Sequence, residues 1–270
     1  MHKRSLTCLL LAVALAAPLA AQAHKMWMVP SATNVSGADP WVTVDAAISN
    51  DLYFPDHHPA SLDQLVITTP DGQTAKPQNA STGKYRSVFD VELAQQGTYK
   101  LALVNQGVFA RYELDGQKKR WRGKAAELAT AIPAGAKAVE VAAIDSRVET
   151  FVTNGKPNTT ALKPAGKGLE LVPVSGVTDL VEGEPATFQL LLDGKPAAGL
   201  TVSAIAGATR YRNAPEAMSA QTGADGRFTF TWPHPGMYWV NAATEDDRSE
   251  VKQASKRRLA YTATFEVLPE

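Results

Sequence analysis

Cysteine is all but missing: the single one in 270 residues, Cys8, stands in the apolar segment at the start of the chain. A mature protein without that segment has no thiol. That excludes disulfides, thiolate metal ligation and cysteine nucleophiles, and leaves the folded cores to apolar packing alone. An excess of either charge is also missing, since Lys+Arg and Asp+Glu number 27 each. No global basic field exists to draw nucleic acid or anionic lipid. Apolar runs of membrane type stop after the first one, Leu6 to Ala21, whose roughly 16 residues are short for a spanning helix, so a membrane-embedded protein is not expected. Helical periodicity is scarce, with Lys124 to Ile132 (KAAELATAI) the one convincing stretch. The G-x-S-x-G, H-E-x-x-H and phosphate-loop patterns do not occur, and no Ser, His and Asp spacing signals a triad. No catalytic constellation is therefore read from these residues.

The start of the chain has the layout of an export leader. Lys3 and Arg4 precede the apolar run, and Ala21-Gln22-Ala23 reads as a small-residue cleavage site. Cys8 lies at the start of the apolar core rather than after it, which argues against a lipoprotein. Cleavage after Ala23 leaves 270 − 23 = 247 residues and 25 basic against 27 acidic side chains, a net charge of −2. The mature chain then opens His24-Lys25-Met26-Trp27. A histidine at a free N-terminus can close a chelate ring through its α-amine and Nδ1. The amine titrates near ~8 and imidazole near ~6.5, so neither proton is costly to displace near neutral pH.

The rest of the chain reads as short β-rich segments between Gly, Pro, Asn and Asp. Strands are expected at Trp41 to Ala47, Leu65 to Thr68, Tyr85 to Leu93, Gly97 to Asn105, Val139 to Ile144 and Val148 to Val152. Residues 154–167 are rich in Pro, Gly and Thr and read as a linker. Strands resume at Leu169 to Pro173, Pro185 to Leu192 and Leu200 to Ile205. Thr222 to Trp232 and Gly236 to Ala243 read as an antiparallel pair, and Ala260 to Leu268 as the last strand. The expected architecture is all-β. An N-terminal β-sandwich domain over 24–153 carries one short helix, and a C-terminal immunoglobulin-like or transthyretin-like sandwich covers 168–270. About seven strands in about 100 residues suit such a module, here without its disulfide.

Several stretches resemble the bacterial DUF4198 family. They are the opening HKMWMVPS, GKYRSVFDVEL, the restart GLELVPV, LLLDGKPAAGLTV and TGADGRFTFTWPHPGMYWVNA. The likeness spans nearly the whole mature chain. It implies a periplasmic protein linked to nickel or cobalt uptake, binding rather than catalysing. Some members carry a Gly-His pair after the first long strand. Ser49-Asn50-Asp51 stands there in this chain, so that ligand does not carry over.

The candidate metal ligands are His24, His57 and His58. Asp56-His57-His58-Pro59 forms a polar loop, and with Pro55 and Pro59 bracketing it the two imidazoles need not take the opposite faces of a strand. Asp56 could orient one of them. Imidazoles with a terminal amine favour copper by the Irving–Williams order, whereas the family resemblance points to nickel or cobalt. The expected cargo is one of these ions or its chelate. An alternative is a non-enzymatic interaction module docking on a membrane transporter or outer-membrane receptor, without its own metal. A third reading, a copper oxygenase built on a histidine brace, has no independent support in the sequence. His234 sits in the turn Trp232-Pro233-His234-Pro235-Gly236, and Glu245-Asp246-Asp247 and Lys118 to Lys124 read as a solvated acidic loop and a basic connection. Trp27, Trp41, Tyr53, Phe54 and Trp239 are expected in the core or on the site wall.

Overall fold

The computed structural model describes residues 24–270; the expected leader, 1–23, with Cys8 and the cleavage site, lies outside the described residues. Fifteen strands of four residues or more carry the fold. The first half contributes β1 (Lys25–Pro30), β2 (Trp41–Ser49), β3 (Leu65–Thr68), β4 (Gln78–Thr82), β5 (Ser87–Glu92), β6 (Gly97–Leu114), β7 (Gln117–Gly123) and β8 (Lys137–Asn154). The second contributes β9 (Leu169–Pro173), β10 (Pro185–Leu192), β11 (Thr201–Ala206), β12 (Met218–Gln221), β13 (Arg227–Thr231), β14 (Gly236–Asp246) and β15 (Lys256–Leu268). A 3-10 turn at Ala125–Glu127 leads into one short helix, α1 (Leu128–Ala131).

Three sheets result. The first runs β1-β2-β5-β4, the second β12-β11-β14-β15-β8-β6-β3, and the third pairs β10 with β9 and β13. Alternation along β2 and β5 turns Val42, Val44, Phe89 and Val91 inward, where they pack on Ile67, Tyr99, Leu101, Leu103, Val148 and Val152 of the second sheet. The third sheet closes on the other end of the second through Phe188, Leu190, Phe228, Phe230, Tyr238 and Phe265. Both sandwiches thus use the same long sheet. Its seam is the parallel pairing of β8 with β15, from Ala142↔Lys256 to Thr150↔Thr264. Residues 154–167 join the halves and are packed down. Leu162 belongs to the second core, and the Asn158 side chain accepts from the Thr98 amide and donates to the Pro70 carbonyl.

Several expectations need correction. The two strands expected at Val139 to Ile144 and Val148 to Val152 are one, β8, because the polar residues between them are not a turn. Arg147 instead meets two buried carboxylates, Glu149 at 3.3 Å and Glu170 at 3.6 Å, while the Tyr261 hydroxyl donates to Glu149 at 2.8 Å. A buried ion pair satisfied in this way suits a seam between two halves. The expected hairpin of Thr222 to Trp232 with Gly236 to Ala243 is not a pair. Strand β13 bonds to β10, whereas β14 lies between β11 and β15 in the facing sheet. The two prolines around His234 cannot donate to a ladder, and the chain crosses between sheets there with Trp232 fully buried. The basic stretch is a strand rather than a connection. Asp115 and Gly116, both at positive φ (53° and 73°), turn β6 tightly into β7.

Glu245 and Asp246, expected in an acidic loop, end strand β14 within ion pairs. Arg257 donates to Asp246 at 2.8 Å and to Asp193 at 2.7 Å, tying the third sheet to the second. Those guanidinium bonds hold both carboxyls below their usual range. A carboxyl lowered in the fold contributes stability that is complete above its unfolded value near ~3.9 and is lost as pH falls through the folded one. Urea midpoints of wild type should therefore drop more steeply below about pH 4 than those of Arg257→Met. Parallel pH profiles would show that the pairs contribute nothing to acid resistance.

Candidate imidazole site

The site forms where three short pieces of backbone meet at the end of β2. Strand β1 pairs with β2 from Lys25↔Ser49, which puts His24 just beyond that end. A two-residue bridge, His58–Pro59, pairs with β2 at Ile48 and Ala47. Ile48 therefore has Met26 as one cross-strand partner and His58 as the other. The intervening chain, Asn50 to His57, folds back over this corner.

All three sequence-predicted histidines come together. The His24 and His57 rings stack with centroids 3.7 Å apart and planes 14° apart. The His57 and His58 rings lie 4.0 Å apart at 49°. His24 and His58 are exposed and His57 half-buried. Asp56 does not reach an imidazole through a hydrogen bond; its carboxylate accepts from the Asn50 amide at 3.0 Å and the Asn50 side chain at 3.3 Å. It clamps the loop shut and so places the histidine next to it.

Beneath the loop, the Trp27 indole donates to Ser49 Oγ at 2.7 Å and meets Tyr53 edge-on at 5.5 Å. Trp27 and Trp239 are buried with Leu52, Ala47 and Ile205, and the Trp239 indole donates to the Met26 carbonyl at 3.0 Å. Phe54 and Trp41 are exposed instead, each at 39 %. The loop also bonds across to the second half. The Leu52 amide donates to Thr209 Oγ1 at 2.9 Å, and Arg210 stacks over the Phe54 ring at 4.1 Å. These second-half contacts have no local signal in the sequence, because they join residues more than 150 positions apart.

Burial lowers the His57 pKa from its usual value, and the neighbouring His24 and His58 push the same way while Asp56 opposes them. A neutral imidazole offers one ring nitrogen as a metal donor. A metal lies in the plane of each ring that binds it, so two nearly parallel rings cannot share one ion without turning. Among the described residues no three His, Cys, Asp or Glu side chains are already arranged around a metal position. The exposed rings of His24 and His58 are free to rotate on a picosecond to nanosecond timescale. His234 is elsewhere engaged: its ring lies 3.6 Å from Glu182 and its carbonyl accepts the Tyr238 hydroxyl.

Fold and site together define an all-β protein of two sandwiches sharing one sheet, with a surface imidazole cluster at the start of its first strand. The chain belongs to the family described as "Domain of unknown function (DUF4198)", whose model matches residues 21–246. No curated protein matches it. Among solved structures it is similar to the D0-D1 domain of intimin, at 12 % identity over 88 % of this chain and 96 % of that one, with a TM-score of 0.21. Fibronectin(III)-like modules of CbhA from Clostridium thermocellum match at 10 % identity over 89 % of this chain and 94 % of that one, with a TM-score of 0.19. No described helix is long and apolar enough to cross a membrane.

The stack has a spectroscopic consequence. In an NMR titration His57 should gain its proton at a lower pH than an isolated imidazole, near ~6.5. In His24→Gln its midpoint should move back up. An unchanged midpoint would mean that the rings do not interact in solution.

Proposed function

We propose that this is an exported, periplasmic protein that binds a transition-metal ion (copper, nickel or cobalt) and takes part in its uptake or handling. His24 is the anchor, through the α-amine freed by cleavage after Ala23 and its ring Nδ1, and His57 and His58 complete the donor set. The observation that carries this reading is the gathering of three imidazoles, 3.7 and 4.0 Å apart, from two separate stretches of chain. Clustering that includes a half-buried histidine costs solvation and charge repulsion on protonation, which a metal ion would offset. Nitrogen donors of this kind suit late first-row ions, copper most of all. The family resemblance supports nickel or cobalt and an uptake pathway. The ion is cargo here, and the exposed site suits its delivery as well as its capture.

The test is native mass spectrometry of the protein recovered from the export compartment, with the three ions offered in turn. The expected result is a chain beginning at His24 that retains one ion, with His24→Ala and His57→Ala each weakening affinity at least about tenfold. A chain that begins elsewhere, or one that stays metal-free with all three ions, would contradict the proposal.

A further inference from the structure

The far end of the second sheet carries a feature that the imidazole site does not use. Strand β7 is bonded to β6 and to no other described strand, so its outer backbone edge is open. One face of this end is closed. Trp121, Val108, Ala110 and Val141 pack under Leu128, Ile132, Val251 and Ala254. The other face is open and carries more cations than carboxylates, its acids being Glu113 and, beside Arg111, Glu140 of β8. Lys118, Arg120 and Arg122 alternate along β7, opposite Glu113, Arg111 and Phe109 of β6. Alternate residues share a face and stand about 6.8 Å apart. Lys118, Arg120, Arg122 and Arg111 enter no ion pair among the described residues. Further along the same rows, Lys256 and Arg258 of β15 are already matched by Glu245.

We infer that the β7 edge binds an extended acidic segment of a partner protein, added as a further strand. Two properties coincide at this edge. Its free amides and carbonyls offer a ladder, and the three cations of its open face, Lys118, Arg120 and Arg122, recur at the two-residue period of an incoming strand, while a fourth, Lys119, points to the other face. An acidic residue at every second position of that strand would meet Lys118, Arg120 and Arg122 in turn. Main-chain bonds then supply the pairing and charge-assisted contacts the selectivity. Basic residues on an edge also guard against self-association. The same charges that repel a second copy of this edge admit an acidic strand. Strand β4, at one edge of the first sheet, is also exposed, but its sequence Gln78-Asn79-Ala80-Ser81-Thr82 carries no charge. The inference uses none of the imidazole residues and is independent of the metal reading.

The test uses the full exported chain and a capped fluorescent peptide in which Glu alternates with Thr and Val. A second peptide has the same sequence with alternate amides N-methylated. Fluorescence anisotropy should show binding of the first, and amide hydrogen exchange should slow at residues 117–123. N-methylation, and separately the exposed double substitution Arg120→Glu with Arg122→Glu, should each weaken binding at least about tenfold. Equal binding of the N-methylated peptide would overturn the inference, because charge alone would then suffice. So would no binding of the first peptide at low salt, or stronger binding of phosphatidylglycerol vesicles lost in the same double variant.

Discussion

Nine consecutive pairings, from Ala142↔Lys256 to Thr150↔Thr264, run β8 parallel to β15 and make two sandwiches share one sheet. A parallel pair cannot close through a tight hairpin and needs a long connection. Here that connection is most of the second half, so neither sandwich finishes its sheet without the other. Strand β8 serves both cores through opposite faces. Val148 and Val152 pack into the first and Phe151 into the second. The partly buried Arg147 with the buried Glu149 and Glu170, and Tyr261 donating to Glu149, lie along the same seam. A register slip of one residue there would turn Phe151 into the wrong core and strand the carboxylates, which fixes the pairing.

The imidazole corner depends on this seam. Strand β1 is an edge of the first sheet, yet Trp27 is buried because Trp239 and Ile205 of the second half cover it. The loop from Asn50 to His57 is held at one end by Asp56 on Asn50 and in its middle by Thr209 and Arg210. The backbone that places His57 is therefore fixed by both halves, while the rings themselves remain at the surface. Fixed backbone with exposed rings is what the proposed capture and release of an ion would need.

Much of this was legible in the sequence, and the failures have physical causes. The pattern of short β-rich runs between turn residues placed β3, β9 and β10 correctly. It divided β8 because Asp145-Ser146-Arg147 looks like a loop until a buried carboxylate partner is known from another strand. It missed β7 because a strand with most of its residues in water has no apolar face to detect; only the Asp115-Gly116 turn marked it. The hairpin wrongly expected around His234 overlapped two real strands, the first of them shorter than expected, but gave them incorrect partners, since pairing is a non-local property. At the site, His24 after the expected cleavage point and the Pro-bracketed His57-His58 pair could be seen from residue type and local spacing. Their stacking, and the clamp of Asp56 on Asn50, required the fold.

What makes His24 chemically distinct is the amine that cleavage would give it, and the same imidazole inside a longer chain lacks the chelate. X-ray absorption at the metal edge, on the exported chain loaded with copper, nickel or cobalt in turn, tests this most directly. The account predicts, for the ion that binds, a first shell of nitrogen with the outer scattering of more than one imidazole, and loss of that pattern when one extra residue precedes His24. A shell of oxygen alone, or a spectrum indifferent to the extra residue, would contradict it.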